Sequence, residues 1–238
     1  MLVQMLDDKR SRGALPTVLH DRLMLFLRYF LFLGGMPAVV QHYIDHRDVK
    51  AVRKLQSEIL MAYERDFSKH TTPSTAIRIS EIWRSLPSQL ARENKKFRYA
   101  DVRKGGRASR FESAIEWLRQ GGLVHSLHRC KVPKLPLAGY MDESSFKLYM
   151  LDSGLLGAML DISSRTIVMG NSLFSEYGGA FIENHAVTEL IKEGMGDLFY
   201  WTSQGQAEVD LIVKLEDVIV PIEVKSGMSR HAKSLRLY

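Results

Sequence analysis

The sequence lacks several features that would assign a protein class at once. Only one of its 238 residues is a cysteine, Cys130, so no internal disulfide can form, and this usage suits a reducing, cytoplasmic compartment. No GxxxxGK[ST] segment occurs, which excludes ATP binding through a phosphate-cradling loop of that kind. The eight histidines show no zinc-ligand spacing. The chain by itself is therefore not expected to be an ATPase or a zinc protein.

Long uninterrupted apolar runs are also missing. The most apolar stretch, residues 23–40, has Arg28 in its middle and is broken by Gly34-Gly35-Met36-Pro37. Charged residues at positions 7–10 precede any apolar core, so no cleavable signal peptide is expected. The stretch therefore predicts a buried helix and no membrane partner.

The overall composition indicates a globular, basic protein. Hydrophobic residues make up 45% of the chain, enough for a good core and for one to three small domains. The formal net charge is +6. An excess of this size suits a polyanionic partner, although it is also common on other globular proteins.

The residue pattern divides the chain into three predicted parts. Residues 1–75 are expected to be helical, with helices near 21–33, from 38 onward and near 49–67, followed by a polar linker at 70–74. Residues 76–152 are expected to form helices near 79–91 and 108–120, then strands near 123–128 and 146–151. Helix, helix and hairpin are the layout of a winged helix-turn-helix. Residues 153–238 form the third part.

A basic segment supports a nucleic-acid contact in the second part. Residues 92–110 contain eight Lys or Arg residues and two acids, so this segment alone matches the net charge of the whole chain. Phosphate contacts from such a cluster give salt-sensitive, weakly specific binding. The alternative is a solvated basic loop on a winged fold that contacts proteins. The predicted DNA-binding residues are Arg98, Arg103, Lys104, Arg107 and Arg110.

The third part contains a predicted hairpin that gathers charges on one face. Residues 207–213 and 218–225 are rich in Val and Ile and are separated by four residues. A turn centred between Glu216 and Asp217 would set Asp210 directly across from Glu223. Lys225 then projects from the same face, because side chains alternate along a strand. Opposed carboxylates destabilise a sheet unless a cation neutralises them, and Mg²⁺ or Mn²⁺ is the expected one.

A third carboxylate is expected from the preceding helix, predicted near residues 175–193. Its apolar stripe contains Ala180, Val187, Leu190 and Ile191, and Glu183 falls within that arc. A buried acid requires a partner. Three carboxylates holding a cation, with a lysine beside them, are what a metal-dependent phosphodiesterase uses. The alternative is a hairpin that carries a surface ion pair.

At these residues the chain resembles the PD-(D/E)xK nuclease superfamily, which includes restriction endonucleases and archaeal Holliday-junction resolvases. The resemblance implies that Glu183, Asp210 and Glu223 are metal ligands and that Lys225 is the catalytic lysine. It also implies a restriction-endonuclease-like α/β core, and hence an α+β chain of helical segment, winged helix-turn-helix and nuclease-like core. Cores of this class continue past the lysine into a helix and a further strand, so an end at Tyr238 would leave a sheet edge open.

A longer series of motifs resembles a second family. It is the domain of unknown function that follows the ATPase module in many bacterial and archaeal AAA-type ATPases. The resemblance begins near residue 20 and implies an ATPase module N-terminal to Met1. The motifs that carry it are residues 34–37, 63–67, 146–149, 151–156, 181–184, 207–210 and 221–225.

Three functions are therefore open. The first is a Mg²⁺-dependent, nuclease-like DNA-binding module that serves an AAA-type ATPase. The second is a DNA-binding or protein-docking module of the ATPase with a nuclease-like scaffold and no turnover. The third is a platform for homo-oligomerisation.

Overall fold

The structure, a computed structural model, describes residues 16–163, 172–203 and 207–225. Within them the chain is α+β, with eight α-helices and one mixed five-stranded sheet. Residues 203–206, Ser-Gln-Gly-Gln, predict a turn before the hairpin. This turn and the helix and strand expected beyond Lys225 lie largely outside the described residues. The helices are α1 (Thr17–Leu33), α2 (Pro37–His46), α3 (Val49–Phe67), α4 (Pro73–Leu90), α5 (Tyr99–Val102), α6 (Ala108–Gln120), α7 (Ser153–Met159) and α8 (Ser172–Lys192). The strands are β1 (Val124–Cys130), β2 (Met141–Met150), β3 (Phe199–Thr202), β4 (Glu208–Leu215) and β5 (Val218–Ile222).

The first three helices begin and end where the local sequence requires. Helix α1 ends at Leu33, and the next residue, Gly34, has a φ of 73°, a conformation that glycine adopts without strain. The side chain of Asp48 accepts hydrogen bonds from two backbone amides in the first turn of α3, at 2.8 and 3.1 Å. Pro73 lies in the first turn of α4, so the predicted linker ends inside a helix.

The prediction that the apolar stretch forms a buried helix is wrong for most of α1. Only Leu31 and Phe32 of this helix are buried, whereas Met24, Leu25 and Phe26 are exposed. Among the described elements, α1 packs on α2, α7 and α8, and its residues in the buried cluster lie in its C-terminal turns, at Leu27 and at residues 31–33. Within the described residues, no helix is both long and apolar enough to cross a membrane.

Helices α4, α5 and α6 pack beside the β1–β2 hairpin. The buried face of α6 is made of Phe111, Ala114, Ile115 and Leu118, which is the set that a 3.6-residue period selects. Between α4 and α5 the chain makes one ladder contact with β2, since the amide of Phe97 donates to the carbonyl of Phe146 at 2.8 Å. Helix, ladder segment, two helices and hairpin therefore follow one another along the chain.

A single sheet joins the hairpin to the later strands. Its order is β2-β1-β3-β4-β5, with β3 parallel to β1 and the other neighbouring pairs antiparallel. One buried apolar cluster extends from Leu31 to Val213 in the sequence. The second and third predicted parts thus share a sheet, and the division into 1–75, 76–152 and 153–238 stays a prediction.

Candidate functional site

The β4–β5 hairpin has the predicted register. Leu211 pairs with Ile222 and Leu215 pairs with Val218, across a turn at Glu216 and Asp217. One further step in this register sets Asp210 opposite Glu223. The amide of Val224 donates to Asp210 Oδ2 at 2.8 Å, which fixes the aspartate beside the chain that leaves β5.

Strand β5 ends at Ile222, three residues earlier than the predicted segment. Glu223 and Lys225 therefore lie just beyond the ladder, where their side chains form an ion pair with each other. The Glu223 side chain is 8% exposed and that of Lys225 is 47% exposed. The second carboxylate oxygen of Glu223, Oε2, is buried and has no hydrogen-bond partner within the described residues.

Glu183 lies inside the protein, as predicted, on the face of α8 that packs on the sheet. Its Oε1 accepts from Lys147 Nζ at 3.0 Å and from the Tyr149 hydroxyl. Its Oε2 lies 2.7 Å from Lys95 Nζ. Lys147 Nζ in turn lies 2.5 Å from Glu208 Oε1 on β4. The buried acid is thus already neutralised by groups of this chain.

Sequence reasoning missed these partners. Lys147 and Tyr149 are two residues apart on β2, so they share a face of that strand. The available signal was a lysine within the otherwise apolar residues 146–150. Lys95 comes from the loop between α4 and α5. No local pattern distinguishes it from its solvent-exposed neighbour Lys96.

The charges around Glu183 stabilise one another. Burial lowers the pKa of the Lys147 ammonium, but the carboxylates of Glu183 and Glu208 outweigh burial and hold this pKa above its ordinary value. Burial likewise raises the pKa of Glu183, yet the ammonium groups of Lys147 and Lys95 hold it below its ordinary value. Burial and the nearby Glu183 carboxylate raise the pKa of Tyr149 well above its usual range. At neutral pH, Glu183 is therefore ionised, Lys147 is charged and Tyr149 is neutral.

Asp210 has the opposite electrostatic environment. Burial and the neighbouring Glu183 carboxylate raise its pKa to about 6, against the hydrogen bond from Val224 and the charge of Lys147. Glu223 adds to the increase. A carboxylate with this environment gains from any additional cation placed beside it.

The residues at the hairpin end fit a divalent cation better than Glu183 does. Asp210 and Glu223 offer carboxylate oxygens, the donors that Mg²⁺ prefers, and one of those oxygens is buried without a partner within the described residues. Both oxygens of Glu183 are held by Lys147, Tyr149 and Lys95. Within the described part of the chain, no group of three or more His, Cys, Asp or Glu residues is arranged to hold a metal. A cation here would rest on two carboxylates.

The basic segment, residues 92–110, is divided into internal and exposed charges. Arg92 pairs with Asp101, Arg103 pairs with Glu81, and Lys95 is committed to Glu183. The predicted DNA contact at Arg103 would therefore have to compete with Glu81. Five basic side chains remain exposed and form no ion pair within the described residues: Lys96, Arg98, Lys104, Arg107 and Arg110.

The exposed face of α6 changes its charge along the helix. Arg107 and Arg110 lie at its N-terminal end. Glu112 and Glu116 follow on the exposed side, and Glu116 accepts from Arg119 at 2.8 Å. Acids would repel phosphates, so only the first turn of α6 suits a nucleic-acid backbone.

The Gly34–Pro37 motif has a structural role. The Asp152 carboxylate accepts from the amide of Gly35 at 2.6 Å and from the amide of Leu155 at 2.8 Å. A Cβ at Gly34 would overlap that carboxylate, and a Cβ at Gly154 would overlap the carbonyl of Leu33. Two motifs that are more than a hundred residues apart thus meet at the end of α1.

This α+β chain belongs to a family described as a domain of unknown function, DUF8612, which matches residues 24–166. Residues 178–238 match a second domain of unknown function, DUF4143, which is commonly a domain of AAA-type ATPases. The second match includes Glu183, Asp210, Glu223 and Lys225. No curated protein matches the chain, and no solved structure does.

Proposed function

We propose that this chain is a Mg²⁺-dependent, nuclease-like DNA-binding module of an AAA-type ATPase. The observation that carries the proposal is the hairpin end, where Asp210 lies opposite Glu223 and its pKa is raised to about 6. Glu223 contributes a buried oxygen without a hydrogen-bond partner within the described residues. An anionic pair of this kind is costly unless a cation joins it.

Asp210 and Glu223 would hold the metal, and Lys225 would face the substrate. Bound Mg²⁺ polarises a phosphate and lowers the pKa of a bound water. Lys225 has a half-exposed ammonium paired with Glu223, so it can approach a phosphate without leaving the site. Glu183 would act as a positioning residue, because its negative charge raises the pKa of Asp210 while its oxygens stay paired with lysines.

Metal binding and cleavage test the enzymatic part. Mn²⁺ titration by calorimetry is expected to show binding by the wild type and at least tenfold weaker binding by Asp210→Ala. Mg²⁺-dependent cutting of single-stranded, duplex or branched DNA should disappear in the same variant. Glu189→Gln, on the exposed side of α8, is the matched control. Equal Mn²⁺ binding by wild type and Asp210→Ala, with no cleavage by either, would refute the enzymatic part.

The DNA-binding part is supported by the element order and by the exposed charges. Helix α4, the Phe97 ladder contact, helices α5 and α6 and the β1–β2 hairpin follow the winged-helix order. Because β1 also pairs with β3, the hairpin is enclosed on that side by the sheet. The first turn of α6 and the loop before it are therefore the proposed phosphate contacts.

Charge reversal tests this surface. The double variant Arg107→Glu and Arg110→Glu should weaken DNA retention at least tenfold and reduce the slope of log affinity against log salt by about 2. Lys50→Glu with Lys54→Glu makes the same charge change on the exposed side of α3 and should have little effect. Equal losses in both double variants would indicate a non-specific charge effect instead of a binding surface.

A second candidate is a DNA-binding or docking module without turnover. The observation that favours it is the pairing of Glu183 with Lys95, Lys147 and Tyr149, which leaves two carboxylates for a cation instead of three. DNA retention without Mn²⁺ binding in the experiments above would select this candidate.

A further inference from the structure

The loop between α4 and α5 directs two adjacent lysines in opposite directions. The amide of Phe97 is bonded to β2 at 2.8 Å and its ring is buried. The amide of Lys96 donates to Asn94 Oδ1 at 2.9 Å, which holds the bend before it. The result is that Lys96 is exposed while the Lys95 side chain is 13% exposed and points at Glu183.

Lys95 and Lys147 are not equivalent partners of Glu183. Lys147 is 1% exposed and bridges Glu183 and Glu208, so its ammonium is required inside the protein. Lys95 contacts Glu183 alone among the described acids, through Oε2 at 2.7 Å, from the edge of the site. Without Lys95, Glu183 would still pair with the Lys147 ammonium and accept a hydrogen bond from the neutral Tyr149 hydroxyl. The charge of Lys95 is therefore the one that the fold can lose.

The charge balance of the site depends on this lysine. Among the described residues it contains four carboxylates and three ammonium groups. The carboxylates are those of Glu183, Glu208, Asp210 and Glu223, and the ammonium groups are those of Lys95, Lys147 and Lys225. The net charge is minus one with all of them ionised. Loss of the Lys95 charge would make it minus two, which matches a divalent cation.

We infer that Lys95 is a tethered counter-ion that limits the affinity of the acid site for a divalent cation. The inference deepens the proposed function and rests on its metal site. An ammonium beside Glu183 opposes a nearby Mg²⁺ or Mn²⁺ ion electrostatically, and the low exposure of the Lys95–Glu183 pair limits screening by water. The loop that carries exposed basic residues thus also sets how readily the site takes up metal.

Four single variants of the full chain test the inference in Mn²⁺ titrations by calorimetry at pH 7.5 and fixed salt. Lys95→Met keeps the aliphatic stem and removes the charge, and it is expected to bind Mn²⁺ at least fivefold more tightly than the wild type. Lys95→Gln, which keeps a hydrogen-bond donor for Glu183, should shift in the same direction. Lys95→Arg restores the charge and Lys96→Met is the exposed control, and both should stay within about twofold of wild type.

The outcomes separate this inference from the proposed function. Unchanged or weaker Mn²⁺ binding by Lys95→Met and Lys95→Gln overturns the inference and leaves the metal site intact. An equal gain in Lys96→Met also overturns it, since any lost positive charge would then suffice. Absence of Mn²⁺ binding in all of the proteins overturns the proposed metal site and the inference with it.

Discussion

The two acidic regions of this site, around Glu183 and at the hairpin end, differ in the partners that stabilise their carboxylates. Around Glu183, two lysines and a tyrosine donate to one buried carboxylate. At the hairpin end, Asp210 accepts one backbone hydrogen bond and Glu223 pairs with a half-exposed lysine. The pKa of Glu183 is lowered and that of Asp210 is raised to about 6. Negative charge therefore stabilises the fold at Glu183 and destabilises it at Asp210.

The difference shows that burial alone does not decide the role of an acid. Glu183 is the most buried of the three predicted ligands, yet its internal partners make it the least suited to an added cation. A functional acid is better recognised by carboxylate oxygens that lack hydrogen-bond or ion-pair partners than by its depth of burial.

The largest expected effect comes from removing the central cation of the buried region. Lys147→Met would leave Glu183 and Glu208 without their shared ammonium, and it should lower the free energy of unfolding by about 4 kcal/mol. Urea denaturation measures the loss. Lys214→Met, an exposed lysine on β4, should change stability by less than about 0.5 kcal/mol. A loss below about 1 kcal/mol for Lys147→Met would mean that the buried ion pairs are dispensable.

Replacing the buried acid, in the variant Glu183→Gln, should lower the free energy of unfolding by about 2–3 kcal/mol at pH 7. Because the folded pKa of Glu183 lies below its unfolded value, its charge stabilises the fold above the unfolded pKa, near 4.3. The stabilisation is lost as the pH falls through the folded pKa. Urea denaturation of Glu183→Gln should therefore approach wild type only in acid, and Glu189→Gln is the exposed control on the same helix. A difference that does not depend on pH would contradict the assignment.

The same chemical change at the hairpin end should have the opposite sign. The raised pKa of Asp210 means that the folded protein binds a proton between about pH 4 and 6 that the unfolded chain does not bind, so this group destabilises the fold increasingly up to pH 6. Asp210→Asn in EDTA should gain about 1 kcal/mol at pH 7.5, allowing for solvent screening, and nothing near pH 4. Asp217→Asn in the exposed turn is the control. A lower free energy of unfolding for Asp210→Asn than for wild type at pH 7.5 would contradict the opposite effects assigned to Glu183 and Asp210.

The smallest expected effect concerns Lys225, at the hairpin end. Lys225→Met removes an ammonium that pairs with Glu223, as Lys147 pairs with Glu183, but Lys225 is half-exposed. Its loss should lower the free energy of unfolding by less than about 0.5 kcal/mol in EDTA. A comparison of Lys225→Met with Lys147→Met in the same urea titrations measures how much burial changes the contribution of a lysine to the free energy of unfolding. A cost near that of Lys147→Met would show that the two regions are electrostatically alike.

Much of the local structure was predictable from residue patterns. The apolar period of α6, the break at Gly34 and the hairpin register of β4 and β5 all follow from neighbouring residues. The short turn at Glu216 and Asp217 fixed the register, which is why Asp210 could be set opposite Glu223. The exposure of Met24, Leu25 and Phe26 was not predictable, because it depends on which elements reach the first turns of α1.

Interactions between distant segments were beyond the sequence. Lys95 looks no different from its neighbour Lys96, and the apolar surroundings of Lys147 do not name its partner, until the α4–α5 loop and β2 are brought against α8. The parallel pairing of β1 with β3 could not be predicted from the sequence either, because parallel strands are not joined by a short turn that can be recognised.

Periods of two and 3.6 residues were sufficient to predict the longer helices of the first two parts, the hairpin register that opposes two acids and the inward position of Glu183. Which lysines meet Glu183 depends instead on how distant segments pack together. That choice depends on chain segments dozens of residues apart. It makes Glu183 a paired structural group, whereas Glu223 keeps one buried oxygen without a hydrogen-bond partner within the described residues.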